Sequence, residues 1–515
     1  MFVEKDHSGR DKMLEVAIVG AGFSGLAAGA RLKREGQDSF VILEKADEVG
    51  GTWRDNTYPG CACDVKSNLY SFSFAPSSQW SRLYAPQPEI LTYLKECSHS
   101  LQLREHIRFR SAVVRASFQK QSGSWLIELQ DGGVLEARVL VLAPGPLSRP
   151  SIPDIPGLES FRGPVFHSAR WDHSVDLVGK RVAVIGTGAS AIQVVPAIAE
   201  KVKSLYLFQR SAAYVVPRKD RAIGANVRKW LDRLPFLQQI HRFMVYAYNE
   251  LLAGPAVYSS EILNRLARAM ALRHMKRAIK DPALRRQLTP DYRIGCKRIL
   301  ISDDYYPALA RDNVQVIQGE VDEVAADSVL SHDLRCSVEV IVLCTGFHVS
   351  DLHRNLGMEI QGLDEDLAQY WERQGLQAHR GSTVSGFPNL FLYLGPNTGL
   401  GHNSMVHIME SQSNYLVSYL KTLQRHPGCS LNVRSDSQYQ FNQRIQKRMQ
   451  RTSWTSGGCH SWYLDEHGRN TTLWPGSTLS YRKETKKLDE NEYELVWPDA
   501  IRTAGGGLQQ AVTVR

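Results

Sequence analysis

The chain has few cysteines, no long apolar run and no repeated module beyond one short glycine pattern. Eight cysteines occur in 515 residues. Cys61 and Cys63 stand close together, but no second pair stands at metal-ligand spacing, so no metal site is expected. Such sparse usage fits reduced thiols and a cytoplasmic setting. No uninterrupted apolar stretch reaches the roughly 20 residues that a membrane-spanning helix needs. Residues 1–12 are polar and charged, without the apolar core of a signal segment. The net charge is +9, yet Lys and Arg are spread along the chain without a dense run. That argues against nucleic acid and for anionic cofactors plus a solvated surface. At 515 residues the chain is too long for one core, and two or three domains are expected.

The glycine pattern is present twice. Residues 14–19 read as a short buried strand, followed by Gly20-Ala21-Gly22-Phe23-Ser24-Gly25 and then a helix start at 26–32. Strand, glycine turn and helix together make the dinucleotide-binding fingerprint. The first glycine makes the turn, the second lets backbone N–H groups approach a pyrophosphate, and the third lets helix pack on strand. A second strand, Phe40–Leu43, ends in Glu44-Lys45, where a carboxylate can accept from ribose hydroxyls. The N-terminal position favours FAD. The Gly50-Gly51-Thr52-Trp53 cluster and Tyr58-Pro59-Gly60 strengthen that, since glycines let the chain pass close to a flat ring system. Trp53 reads equally as a core residue or a cofactor contact.

The second pattern, Gly186-Thr187-Gly188-Ala189-Ser190-Ala191, follows the strand Arg181–Ile185. A further strand at 204–208 leads to Gln209-Arg210-Ser211. The first site has Glu at the corresponding place and this one has Arg, a cation suited to the 2′-phosphate of NADPH. Two apolar runs end in Ala143-Pro144-Gly145 and in Cys344-Thr345-Gly346-Phe347, as chain crossings beneath a nucleotide fold would. Between the two fingerprints lies a longer string: Phe161, Gly163, His167, Trp171 and Asp172 spell F-x-G-x-x-x-H-x-x-x-W-D.

With these residues in hand, the chain resembles the type I Baeyer–Villiger monooxygenases, a class B flavoprotein monooxygenase family. The string matches the family fingerprint at every defined position, and Gly50-Gly51-x-Trp53, Tyr58-Pro59-Gly60 and Asp64 resemble the family's first-site cluster. One departure is Pro144, which stands where the family usually has Thr. The resemblance implies an α/β fold of two Rossmann-like dinucleotide-binding domains, for FAD and NADPH, with a helical insertion in the second. It implies the following division: FAD-binding 1–148, NADPH-binding 149–217, insertion 218–291, NADPH-binding 292–380, and FAD-binding 381–515 with a mobile tail from 503. It also implies the activity: NADPH reduces FAD, the reduced flavin captures O2 as a peroxide, and a ketone becomes an ester or lactone, with sulfoxidation as an extra. That chemistry needs a fixed cation in a water-poor site, and arginine keeps its proton. In Gly295-Cys296-Lys297-Arg298, which resembles the family's Lys-Arg pair, Arg298 is expected to stabilise the peroxide and Asp64 to hold it. Lys297 is expected to contact the NADP phosphate, Trp462 to contact NADP, and His167 and Trp171 to keep the two folds in working relation.

Two rivals remain: a flavin monooxygenase acting mainly on nitrogen or sulfur, opposed by Trp171-Asp172 and Arg298, and a non-catalytic nucleotide-binding redox sensor, opposed by the intact Asp64 and Arg298. The oligomeric expectation is a monomer or weak dimer. In the insertion, 227–237, 239–252 and 260–279 read as helices broken by Pro235, Gly254-Pro255 and Pro282. The apolar stretch 243–248 is expected to form a buried helix face, with contact to a membrane surface or a hydrophobic substrate as the alternative. Residues 394–403 form a glycine-rich loop leading into a helix from about Ser404.

Overall fold

The computed structural model describes residues 13–349, 356–459 and 461–499. The tail from 503, expected to be mobile, lies outside them.

The apolar runs flanking each fingerprint build two separate sheets. In the first, the strand Leu14–Val19 lies between Phe40–Leu43 and Val134–Leu142, parallel to both. The antiparallel strands Val113–Gln119 and Ser124–Leu129 extend it beyond Val134–Leu142. Alternate residues of Leu14–Val19 face opposite sides, as strand geometry requires. Val16 and Ile18 join a core under the helices Phe23–Arg34 and Met405–Arg425, whereas Ala17 and Val19 join a second core around Trp125 and Trp371. Burial on both faces explains why residues 16–19 are all apolar, whereas Glu15 stands at the partly buried start of the strand.

The second sheet is wholly parallel, in the order Val314–Gln318, Ser204–Gln209, Arg181–Ile185, Val340–Leu343, Val165–His167. The helix Ala191–Ala199 covers one face with Ile192, Val194, Val195 and Ile198. The chain then returns to the first sheet. Glu359–Gln361 pairs with Val113–Gln119, and Leu390–Leu392 pairs with Val134–Leu142. This return precedes the boundary expected at 380. A three-residue strand is too short to announce which sheet it will join.

The insertion is helical: Ala225–Arg233, Pro235–Tyr248, a π-helical turn Asn249–Ala253, Gly254–Tyr258 and Glu261–Ala278. Pro235 starts a helix rather than interrupting one, since the first turn needs no N–H there. The expected buried face at 243–248 is not found. Val245 is buried, but Phe243 is 67% exposed, and Met244 and Tyr248 are exposed with it. Periodicity reports that a helix has an apolar side, not which way that side turns. Among the described residues no helix is long and apolar enough to cross a membrane.

Candidate active site

Both fingerprints form the turns their glycines predict. Gly20 has φ +106°, and a Cβ there would sit 2.6 Å from the Ala143 carbonyl oxygen, so the crossing at Ala143-Pro144-Gly145 lies directly against the turn. Pro144 is accommodated: the neighbouring Ala143 N–H still donates to Val19 O at 2.9 Å. A Cβ on Gly25 would overlap the Gly20 carbonyl, which is the close helix–strand packing expected of the third glycine. The helix begins at Phe23, so the backbone N–H groups of its first turn have no intrahelical partner and suit a pyrophosphate. The Phe23 side chain turns away into the core against Tyr70 and Phe72, and Ser24 is buried. Gly51 approaches Gly22: a Cβ on it would lie 3.4 Å from Gly22 Cα. The two glycines therefore leave a narrow open cradle above the helix start, a shape that fits a dinucleotide.

Glu44 is buried and already engaged. It accepts from Ala21 N at 2.9 Å, Ala46 N at 3.0 Å and Arg54 Nη1 at 3.1 Å. Lys45 is exposed. Trp53 donates from Nε1 to Tyr70 Oη at 3.0 Å and packs against both nucleotide-fold cores. Thr52 opens the short helix Thr52–Asp55 beside it. The Tyr58-Pro59-Gly60 segment meets the second fold. A Cβ on Gly60 would stand 2.6 Å from Gln193 O, and Tyr58 Oη donates to Gln193 Oε1 at 3.0 Å. Gln193 Nε2 in turn donates to Ala62 O at 3.0 Å. Gly60 thus permits close approach to the helix of the second fold. Gln193 was not foreseen; the only hint is one amide inside the apolar run Ala191–Ala199.

In the second fold a Cβ on Gly186 would overlap Cys344 O, repeating the crossing of the first. Gly188 and Ala189 are exposed, and a Cβ on Gly188 would meet no described protein atom within 4 Å, so the turn is open. Thr187 Oγ1 donates to Ser211 O at 2.9 Å, and Lys297 Nζ donates to Ser211 Oγ at 2.6 Å. Burial first, and then the neighbouring Arg210 charge, pull the Lys297 ammonium below its usual pKa. Arg210 is mostly exposed and, among the described residues, pairs only with Glu320, at 3.6 Å. Two crowded cations beside Ser211, just past the end of Ser204–Gln209, fit a phosphate, which would relieve their repulsion.

The turn Gly295-Cys296-Lys297-Arg298 sends consecutive side chains to different folds. Gly295 has φ +92° and packs on Val257, so only glycine fits. Lys297 reaches the second fold, whereas Arg298 reaches Asp64 of the first, with Nε at 2.9 Å and Nη2 at 2.6 Å from the same oxygen, Oδ2. The Asp64 charge, opposed by burial, raises the Arg298 pKa further above its already high value. Nη1 is not used by Asp64, and 31% of the Arg298 side chain remains accessible, so the fixed cation can still meet a ligand. Buried Tyr463 stands by it: burial pushes its hydroxyl up to about 12, against the pull of Arg298. Tyr463 was missed in the sequence although it adjoins Trp462, whose ring stacks obliquely on it at 4.3 Å. Trp462 is 44% exposed, so it is not a core aromatic.

One expectation is overturned in this turn. Cys296 and Cys459 form a disulfide across 163 residues, so the cysteines are not all reduced thiols. The other six are free and buried. Folding brings the pair to a Cα separation of 6.1 Å, which linear spacing cannot show. The bond ties the Arg298 turn to the segment carrying Trp462 and Tyr463.

The F-x-G-x-x-x-H-x-x-x-W-D string runs along the edge of the second sheet. Phe161 fills a core with Ile185 and Phe208, and a Cβ on Gly163 would overlap Glu339 O. His167 pairs in register with Leu343, accepts from Ala169 N at 3.0 Å through Nδ1, and meets Phe347 edge-on. Burial lowers its pKa to about 4, so the ring is neutral near pH 7 and its proton is on Nε2. Trp171 packs on Phe166, and exposed Asp172 accepts from Ser174 N and Oγ, closing a turn. The string therefore shapes the crossing under the second fingerprint rather than supplying charge to Arg298. Among the described residues no cluster could hold a metal ion.

Comparison with known proteins places this geometry. The sequence pattern of the family described as flavin-binding monooxygenase-like matches residues 13–352. A Baeyer–Villiger monooxygenase of Streptomyces coelicolor is 49% identical over 496 residues, covering 96% of this chain and 95% of the relative. One from Pseudomonas aeruginosa is 43% identical over 500 residues, covering 96% and 94%. Among solved structures, cyclohexanone monooxygenase from Rhodococcus sp. Phi1 bound to NADP+ superposes with a TM-score of 0.83 at 26% identity, covering 94% of this chain and 99% of that one. An oxidised steroid monooxygenase bound to NADP gives 0.81 at 30% identity, covering 94% and 99%.

Proposed function

The chain belongs to the Baeyer–Villiger monooxygenases within the flavin-binding monooxygenase-like family, and from that premise we propose how its residues divide the work. The reaction is the NADPH- and O2-dependent conversion of a ketone to an ester or lactone, with FAD and NADPH as cofactors. Bound FAD, once reduced by NADPH, supplies the oxygen-activating chemistry. Gly20, Gly22, Gly25 and the first amides at Phe23 and Ser24 hold its pyrophosphate, Glu44 and Lys45 border its ribose, and Gly51, Thr52 and Trp53 line its ring system. Gly186, Thr187, Gly188, Ala189 and Ser190 hold the NADPH pyrophosphate. Arg210, Ser211 and Lys297 hold the 2′-phosphate, and Trp462 covers the nicotinamide half.

Arg298 is the catalytic cation. Ketone oxygenation develops negative charge on oxygen, and a preorganised donor in a dry site stabilises it without reorganisation. Asp64 fixes the guanidinium by accepting two hydrogen bonds on one oxygen, which leaves Nη1 for the reacting atoms. The single observation that carries the reading is this pair, spanning the two nucleotide folds. The domain division is kept, with the return to the FAD fold moved ahead of Glu359. Thioether oxidation is proposed as a secondary activity.

The test is direct. The purified protein is expected to be yellow with bound FAD and to consume NADPH against linear, cyclic and aryl ketones with ester or lactone as product. If no ketone yields either product while a sulfide is oxidised, ketone oxygenation is wrong.

A further inference from the structure

The helix Pro235–Tyr248 with its π-helical continuation is inside out. Phe236, Ile240, Phe243, Met244, Tyr248 and Leu251 recur at three- and four-residue spacing, so they form one stripe, and all are about half exposed or more. The inward side is polar. Arg242 Nη1 donates to Asn68 O at 2.8 Å and Ser71 O at 2.9 Å, and His241 meets Asn68 Nδ2 at 2.9 Å. Glu250 accepts from Thr478 Oγ1 at 2.6 Å and Asn403 Nδ2 at 2.7 Å. These bonds fix the helix's rotation, so the apolar stripe cannot turn inward without breaking them. The next long helix, Glu261–Ala278, also exposes apolar side chains, Ile262, Leu266 and Met270. So many large apolar side chains exposed on one segment are uncommon without a partner.

The charge says which partner. Residues 221–280 contain eleven Lys and Arg against three Asp and Glu, a net of +8, where the whole chain carries +9. Of the three acids, Glu250 is buried, Asp232 accepts from Ser78, and Glu261 pairs with Arg265 and Arg293. Arg265, Arg268, Arg273, Lys276, Arg277 and Lys280 line a groove of about 630 Å³ along Glu261–Ala278. A second copy of the chain would bring +8 against +8. A bilayer with anionic headgroups offers hydrocarbon to the stripe and negative charge to the cations, the two features of a surface-lying helix. No described helix is long and apolar enough to span, which leaves contact from one side.

We propose that the helical insertion is a docking surface for anionic lipid membranes, with the Phe236–Leu251 stripe entering the headgroup boundary and the cations of the groove along Glu261–Ala278 binding phosphates. The full-length protein with its cofactors is expected to co-sediment with vesicles of phosphatidylglycerol and phosphatidylcholine, and weakly with phosphatidylcholine alone. A cation near an anionic surface is worth about fivefold in affinity, so Arg265→Gln, Arg273→Gln and Lys276→Gln together are expected to weaken binding by about a hundredfold. Phe243→Ser with Leu251→Ser is expected to weaken it at least about tenfold. Both sets lie on the exposed surface, so bound FAD and NADPH consumption with a water-soluble ketone stay at the parent level, showing that the fold is intact. Absence of binding by the parent protein, or undiminished binding in both variants, overturns the proposal. So does a dimer by light scattering that Phe243→Ser and Leu251→Ser dissolve without vesicle binding, which assigns the surface to a second copy.

Discussion

Replacing Arg298 by Ala separates the two halves of the reaction. In the proposed division, reduction by NADPH uses the second fingerprint and Arg210, Ser211 and Lys297, whose bonds, among the described residues, do not involve Arg298. Oxygenation is proposed to use the cation that Asp64 orients. Losing one preorganised donor from a site of developing negative charge costs roughly 10²–10³ in rate, about 3–4 kcal/mol. The effect on folding is smaller. Asp64 is left without its partner but is 33% accessible, so water can take over, and a loss of about 1 kcal/mol is expected. Arg298→Lys is expected to recover little, because a single ammonium cannot present two donors to Oδ2 and a third to the reacting atoms. Stopped-flow measurement of flavin reduction and gas chromatography of the ester check both halves. Reduction near the parent rate with ester lowered at least about a hundredfold is the expected outcome. Ester formation within about threefold of the parent would remove Arg298 from the chemistry.

The remaining predictions concern binding, pH and the disulfide. Arg210→Ala and Lys297→Ala are each expected to raise KM for NADPH about tenfold with little change for NADH, in steady-state kinetics with both cofactors; equal effects on both would exclude the 2′-phosphate contact. Gly25→Ala forces a methyl into the Gly20 carbonyl, so the variant should purify with little FAD, read from its visible spectrum, and full retention of flavin would contradict the packing. His167 binds its proton near pH 4 when folded and near 6.5 when unfolded, so acidification from 7.5 to 5 favours the unfolded chain by about 2 kcal/mol. His167→Gln removes that increment, and urea melts at the two pH values should show its stability falling less than the parent's. Alkylation of the denatured, unreduced protein should label six thiols, with two more appearing only after reduction, by mass spectrometry; eight labels at once would show that Cys296 and Cys459 are unpaired.

Much of the fold was legible because its signals are local. A glycine turn needs only the residues that make it, so Gly20 to Gly25 and Gly186 to Ser190 announced two nucleotide folds. A parallel strand buried on both faces is apolar in its core, so residues 16–19 and 182–185 stood out. Where local signals ended, so did the reading. Gln193 looks like an interruption in an apolar helix until Tyr58 and Ala62 are seen against it. Tyr463 was obscured by Trp462, and the Gly60 turn gave no sign that its neighbour is the second fold.

By itself, the sequence determined the family and the two cofactor folds, since those follow from residue types at fixed spacing, and the family resemblance singled out Asp64 and Arg298 as candidates. The tertiary structure alone decided three things. It put Asp64 and Arg298, 234 residues apart, on one hydrogen-bonded pair. It joined Cys296 to Cys459 beside them. It turned the apolar side of Pro235–Tyr248 outward, because Arg242 and Glu250 find hydrogen-bond partners only on the inside. Helical periodicity defines a stripe; what lies across from it depends on contacts between distant segments, which no local pattern encodes.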